Sequence, residues 1–153
     1  MVDQEIKLDG EAGRYKPKGD YRLVTTHADL VDRMYFLGKQ KERYLRERDF
    51  INLLMQKGVS GKSIIDVGCG TGIHIMLLRQ IGYEVVGLEL RREMGEVAKG
   101  RNPTNKIVIG DMRDFPLSDK VDGIISMYGA VNYLEKEEDI KRTFSNFFSH
   151  LSP

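Results

Sequence analysis

Three acidic residues and one glycine cluster carry the chemistry that can be read from this chain. In "IIDVGCGTGIHIMLL" (64–78), an apolar run reaches Asp66 and Val67 and passes through Gly68, Cys69, Gly70, Thr71 and Gly72. It then enters a helical pattern at once. Glycines this close let the backbone turn tightly and let a ligand approach with no Cβ in between. A helix starting at about Thr71 aims its free N–H groups at the same space. Ligands of parallel sheets lie beyond the carboxyl ends of the strands, so the turn suits a nucleotide-like small molecule. A tight strand-to-helix connection with no ligand is the plainer alternative.

The spacing excludes two common phosphate sites. The dinucleotide fingerprint is G-x-G-x-x-G, and here the third glycine comes one residue early. No Gly-Lys-Ser/Thr follows, so the turn is not a P-loop. Asp66, directly before the turn, would repel a pyrophosphate and would suit a cationic or amine-bearing ligand. Glu89 closes the next apolar run, "YEVVGLEL", where a carboxylate can accept both hydroxyls of a ribose. Asp111 follows "KIVIG", where it can accept from an adenine amino group while Met112 packs against the base. One such acid alone is as easily a solvated loop residue; three at the ends of successive strands point to a site.

Those residues need elements to place them. Apolar runs "SIIDV", "YEVVGLEL", "KIVIG" and "VDGIISMYG" read as four strands. They alternate with helical stretches at 72–81, 92–99 and 137–151. Such alternation predicts an α/β fold, a Rossmann-like parallel sheet covered by helices on both faces. The helix at 72–81 shows Ile73, Leu77 and Ile81 as its core face, and the last helix shows Ile140, Phe144, Phe147 and Leu151. Before the sheet, residues 1–26 read as an irregular arm. A helix is predicted in "HADLVDRMYF" (27–36) and another at 41–56, with Tyr44, Leu45, Ile51, Leu54 and Met55 on one face. Met34, Met55 and Met76 read as core. The chain thus divides into 1–60, an arm with lid-like helices, and 61–153, the α/β core.

At 153 residues the chain makes one domain, and a net charge of +1 from 24 basic and 23 acidic residues gives no general attraction to nucleic acid or membrane. The basic run at 39–48 is interrupted by Glu42 and Glu47 and reads as a solvated helix face. No apolar stretch reaches the roughly 18 residues of a membrane-spanning helix, and the first residues do not read as a secretory signal. Cys69 is the single cysteine, which fits a reducing, cytoplasmic setting. His27, His74 and His150 lack the spacing of metal ligands. A nucleophilic Cys69 would need a base in reach; it reads as an occupant of the turn, and His74 as structural.

The joint pattern resembles the class I S-adenosylmethionine-dependent methyltransferases. The residues that carry it are "DVGCGTG" (66–72), "VVGLEL" (85–90), "IVIGDMRDFP" (107–116) and "VDGIISMYGAVNYL" (121–134). The resemblance implies S-adenosyl-L-methionine as cofactor. It assigns Asp66, Gly68, Cys69, Gly70 and Gly72 to its methionyl and ribose parts, Glu89 and Leu90 to the ribose, and Asp111 and Met112 to the adenine. It sets Met127 beside the sulfonium, and Tyr128, Asn132 and Tyr133 as candidates for orienting the acceptor. The N-terminal helices would form a lid, with Tyr35, Lys39 and Tyr44 near the methionyl carboxylate. "MYGAVNYL" is similar to small-molecule members, including N-methyltransferases of glycine or amino sugars. The Asn/Asp-Pro-Pro-Tyr/Phe motif of many nucleic-acid amino methyltransferases is absent from the sequence.

Methyl transfer from a sulfonium is an in-line displacement, so the protein's task is alignment and exclusion of water. A small-molecule methyl acceptor, an amine among the candidates, is the expected partner. A complete core of the resembled family has seven strands and this reading supplies four, which predicts a fold truncated after the fourth strand and its following helix. The fourth strand would then be an exposed edge, open to pairing in a homo-oligomer. Two alternatives accompany the enzyme reading. One is a chain that binds the donor, or serves as a partner subunit, without turnover of its own. The other is an NAD- or FAD-binding oxidoreductase, disfavoured by the glycine spacing.

Overall fold

A computed structural model of the chain describes residues 39–153. The predicted arm at 1–26, the helix at 27–36, Met34 and Tyr35 lie outside the described residues. Helix α1 (Lys39–Gly58) leads into strand β1 (Ser63–Val67), helix α2 (Ile73–Arg79), strand β2 (Glu84–Glu89) and helix α3 (Arg92–Arg101). Strands β3 (Ile107–Ile109) and β4 (Gly123–Ile125), a 3₁₀ turn (Ala130–Tyr133) and helix α4 (Glu137–His150) complete the order.

All strand pairs are parallel, and the sheet order is β3-β2-β1-β4. β1 is therefore central, with Asp66 opposite Gly87 of β2 and Ile125 of β4. The sheet is the predicted Rossmann-like one. Strand alternation divides the core. Ile64 and Val85 face one way, packing with Ile51 and Met55 of α1, Ile75 and Leu78 of α2 and Ala98 of α3. Ile65, Val67 and Leu88 face the other way, onto Phe115 and Phe147 of α4. Helices thus cover both faces, and the uninterrupted apolar runs of β1 and β2 follow from burial on both sides.

Several helix faces differ from the reading by period. In α1, Tyr44, Ile51 and Met55 are buried, but Leu54 is 52% exposed. A stripe at 44, 51 and 55 is narrow, so a residue one position away already turns outward. In α4, Ile140 and Phe144 are exposed, while Thr143, Phe147 and His150 are buried. The buried face of α4 is rotated by one position from the apolar one. His150 explains part of this. Its Nε2 accepts from the Leu117 N–H at 3.2 Å, its Nδ1 lies 2.8 Å from the Asn146 carbonyl, and its ring stacks on Phe115 at 4.6 Å. In α2, His74, Ile75 and Leu78 are buried along with Ile73 and Leu77. That helix is enclosed by α1, the sheet and α3, so it has no single core face. Met55 is in the core; Met76 is half-buried.

Candidate functional site

The turn after β1 is fastened to β2 by backbone bonds. The N–H groups of Gly68 and Cys69 both reach the Leu88 carbonyl, at 2.8 and 3.1 Å. Gly68, Gly70 and Gly72 all have positive φ, of 72°, 56° and 76°. Two of these glycines make room for the protein itself. A Cβ on Gly68 would stand 2.4 Å from the Ala130 Cβ, and one on Gly72 would stand 2.5 Å from the Asn102 amide. Only at Gly70 is the nearest neighbour a side-chain methyl at ordinary contact, Met94 at 3.5 Å. Close ligand approach is thus a reading that Gly70 retains; Gly68 and Gly72 are required by Ala130 and Asn102.

Two residues that the sequence reading passed over hold the far side of the turn. The Arg101 guanidinium donates to the Thr71 carbonyl at 2.6 Å, and the Asn102 amide donates to Gly72 and Ala98 at 3.0 and 3.1 Å. Both follow from their place at the end of α3, where Asn102 is the C-cap. A polar pair closing a helix after a glycine turn was the available signal.

Asp66 and Glu89 share this space. Glu89 is 8% exposed and accepts one backbone N–H on each oxygen, from Gly70 at 2.9 Å and Arg91 at 2.8 Å. A carboxylate has about four lone-pair positions, so Glu89 keeps capacity for a further donor beyond its backbone bonds. Burial pushes the Glu89 carboxyl up, against the backbone bonds that lower it. Asp66 is 1% exposed, and its Oδ2 is buried with no protein partner. Burial first, and the Glu89 charge second, push it up to about 7. An unpartnered buried carboxylate oxygen beside a second carboxylate is costly unless a cation or donor meets it. This orphaned oxygen fits a ligand that bears positive charge and hydroxyl donors. Cys69 lies between the two acids, 8% exposed. Burial, then the charges of Asp66 and Glu89, drive its thiol far above the usual range. It stays protonated at neutral pH and is no nucleophile.

Asp111 follows β3, but Arg113 holds it. The Arg113 backbone N–H and Nε reach Oδ1 at 2.9 and 3.0 Å, and Nε and Nη2 reach Oδ2 at 3.1 and 2.5 Å. Burial raises the Asp111 carboxyl, and the Arg113 bonds and charge outweigh it, leaving it below the usual range. Arg113 also meets Asp139 of α4 at 3.2 Å. Met112 is half-buried against the α4 side of the core. The Leu90 side chain is 50% exposed just past Glu89, and Met127 packs partly against the α2 side.

The segment after β4 is more open. Tyr128 is 49% and Tyr133 40% exposed, and Asn132 is exposed with its N–H on the Gly129 carbonyl at 2.9 Å. Ala130, resting on Gly68, joins this segment to the glycine turn. Tyr44 is 4% exposed, its ring edge-on to His74 at 5.3 Å and to Tyr128 at 5.7 Å. It is a packed residue under Tyr128. Lys39 begins α1. His74 does pack structurally, and it also meets Glu47, which the sequence reading took as part of a solvated face. Among the described residues no group of three His, Cys, Asp or Glu could hold a metal, and no helix is long and apolar enough to cross a membrane.

A parallel sheet in the order 3-2-1-4, a glycine turn after β1 and an acid ending β2 make a Rossmann-like α/β frame. The chain belongs to the methyltransferase domain family, whose pattern its residues 64–153 match. It is 34% identical over 127 residues to the dTDP-3-amino-3,4,6-trideoxy-alpha-D-glucopyranose N,N-dimethyltransferase of Streptomyces venezuelae, covering 83% of this chain and 53% of that protein. The crystal structure of Streptomyces venezuelae DesVI superposes with a TM-score of 0.75 at 36% identity, over 83% of this chain and 53% of that one. The S-adenosylmethionine-bound amino pentose methyltransferase CalS10 of Micromonospora echinaspora gives a TM-score of 0.70 at 26% identity, over 82% and 51%. The chain spans about half the length of the relatives it matches.

Proposed function

We propose that this chain binds S-adenosyl-L-methionine at the turn after β1 and forms the donor side of a methyltransferase for small-molecule amines, amino sugars first among them. The observation that carries the reading is the Asp66–Glu89 pair: two buried carboxylates at the ends of adjacent strands beside the glycine turn, one with an oxygen left unpartnered. The sugar N,N-dimethyltransferase among its relatives supports the amine as acceptor.

When bound, the donor supplies a methyl group activated by its sulfonium charge. The chain's residues do the rest. Glu89 accepts the ribose hydroxyls with the lone pairs its backbone bonds leave. Asp66 faces positive charge, and its carboxyl, pushed up to about 7, ionises fully when a cation pairs with it. The Gly70 backbone lets the ligand lie against the turn. Met112 packs against the base, with Asp111 fixed beside it. Leu90 and Met127 flank the nucleoside and the sulfonium. Tyr128, Asn132 and Tyr133 orient the acceptor, and α1, with Lys39 at its start, covers the donor. In this reading residues 39–60 belong to the lid and 61–153 to the core, in a reducing, cytoplasmic setting. The chain's own 150–152 segment takes up the backbone at Val121, and the outer side of β4 beyond that bridge offers an edge for pairing with a second copy.

Titration calorimetry with S-adenosylhomocysteine, with NAD for comparison, tests the donor. Binding of the adenosyl compound and silence with NAD are expected; the reverse would overturn the reading. Transfer of labelled methyl to a dTDP-linked amino-deoxysugar then tests the acceptor. Donor binding with no transfer would reduce the assignment to a donor-binding chain.

A further inference from the structure

Glu47 has no place in the donor site, yet it gathers three donors from three elements. Its Oε2 lies 2.8 Å from the Tyr128 hydroxyl and 3.1 Å from His74 Nε2. Its Oε1 accepts from Arg43 Nε at 2.9 Å. Burial raises the Glu47 carboxyl, and the bonds from Tyr128, Arg43 and His74 together outweigh it, so the group is held below the usual carboxylate range. An ionised carboxylate only accepts. His74 Nε2 therefore carries its hydrogen towards Glu47, and Tyr128 donates its hydroxyl proton to the same oxygen.

Tyr128 is held from every other side as well. The Arg43 guanidinium lies 4.8 Å from its ring centroid. The rings of Tyr44 and His74 stand at 5.7 and 5.8 Å. Its φ of 55° is the only positive value among the described non-glycine residues. A bulky side chain in the left-handed region persists only where its surroundings over-determine it, and such residues gather at functional sites. A half-exposed tyrosine at the carboxyl end of β4 is thus fixed in place although solvent reaches it.

A hydroxyl has one proton. Here it is committed to Glu47, and the Tyr44 hydroxyl also bonds the Tyr128 oxygen, so a substrate atom that takes a remaining lone pair must bring its own hydrogen. An amine brings one. A carboxylate or phosphate oxygen does not, and it would also face the Glu47 charge. We infer that Glu47 is a positioning residue that holds Tyr128 as an acceptor-only oxygen and thereby selects an N–H-bearing substrate over an anionic one. The inference rests on the reading above, in which the 127–133 segment faces the methyl acceptor.

The test is a double-mutant cycle on the full 153-residue chain with Glu47→Gln and Tyr128→Phe. Glutamine keeps the size of the side chain but puts a donor where one of three donors must be accepted. Methyl transfer to a dTDP-linked amino-deoxysugar should fall about tenfold or more in kcat/KM with Glu47→Gln, the scale of a lost charged hydrogen bond. S-adenosylhomocysteine affinity should stay within about twofold, since Glu47 touches no donor residue. On the Tyr128→Phe background, Glu47→Gln should add almost nothing. The loss in Glu47→Gln should appear in kcat and in the acceptor KM, with the donor KM unchanged, and Glu47→Asp, which keeps the charge, should recover part of it. Should Glu47→Gln fail to fold by circular dichroism, Glu47→Asp takes its place in the cycle, keeping the charge and drawing it back by one methylene. Additive effects, or unchanged transfer in the Glu47 variant, would overturn the inference while leaving the methyltransferase reading intact. A wild type that binds donor and methylates no amine would overturn this inference and reduce the reading above to donor binding, and that failure is visible before any variant is made.

Discussion

The carboxyl ends of β1 and β4 are neighbours in the sheet and are built in opposite ways. At β1 the backbone does the work. Three positive-φ glycines, two N–H bonds to Leu88 and two N–H bonds to Glu89 set the shape, and the acids are buried. At β4 the strand is three residues long, and the segment beyond it is half-exposed. There the side chain of Tyr128 is held by Glu47 from 81 residues away in sequence. On the proposed reading the turn after β1 meets one invariant donor molecule, which suits a rigid backbone cradle. The acceptor side meets a particular substrate, and side chains can be exchanged there without touching the sheet. The two regions touch at Ala130 against Gly68.

The largest expected effect breaks that junction. Gly68→Val adds a branched side chain where φ is 72° and where even a Cβ would meet Ala130 at 2.4 Å. Left-handed strain and overpacking together cost roughly 2–5 kcal/mol, enough to unfold a marginal domain. Urea denaturation measures it. Ala130→Gly removes the steric part and should restore a minority of the loss, because the strain at φ remains. Full rescue would show that crowding alone demands the glycine.

Next comes the buried acid on the donor side. The Asp66 carboxyl rises from 3.8 when exposed to about 7 in the fold. A group raised on folding adds stability that is full below the unfolded value, falls as pH climbs, and is gone above the folded value. The empty protein should therefore lose roughly 2–4 kcal/mol from this group between about pH 4 and pH 7. Asp66→Asn should abolish that loss, and the measurement is the melting temperature of both forms against pH. The same slope in both would show that water reaches Asp66.

The contrast between the two ends also explains what could be read from sequence. The turn, Asp66, Glu89 and all four strands were legible, because backbone cradles are encoded by local spacing: glycines at fixed intervals after an apolar run, an acid closing the next. The Glu47–His74–Tyr128 contact was not. Each member looks ordinary in its own segment, and Glu47 sits in a charged run that reads as solvated. The exposed Phe144 of α4 shows the converse limit. Apolar periodicity marks a stripe, but the polar Thr143 and His150 are buried beside Phe147 and turn the helix away from it.

Glu89→Gln tests the donor cradle itself. Glutamine keeps one acceptor oxygen and replaces the other with a donor, which then confronts either the Gly70 or the Arg91 N–H. Loss of a charged hydrogen-bond partner for the ribose weakens donor binding by about 1.5–3 kcal/mol. Calorimetry with S-adenosylhomocysteine reads it, with circular dichroism as the folding control. Equal affinities would remove Glu89 from the site.

Asp111→Asn should have the smallest effect on donor affinity, although Asp111 lies just beyond the end of β3 as Glu89 lies at the end of β2. The difference lies in what each carboxylate has left to offer. Glu89 takes one backbone donor on each oxygen and keeps room for one more. Arg113 already commits three N–H groups to Asp111, its Nε–H shared between the two oxygens, which leaves little of the carboxylate for a further donor. Its charge is answered by Arg113, which Asp139 steadies from α4. An adenine amino group would have to displace part of that arrangement to gain a bond, so the net gain is small. The expected cost of Asp111→Asn in S-adenosylhomocysteine affinity is under about 1 kcal/mol, the scale of a partly exposed charge pair. The same titration with the inosine analogue, which lacks the amino group, sharpens the result. If Asp111 serves only to hold Arg113 and the loop, wild type and variant will show the same preference for adenine over hypoxanthine. If the preference collapses in the variant, Arg113 yields to the base, and Asp111 reads adenine directly.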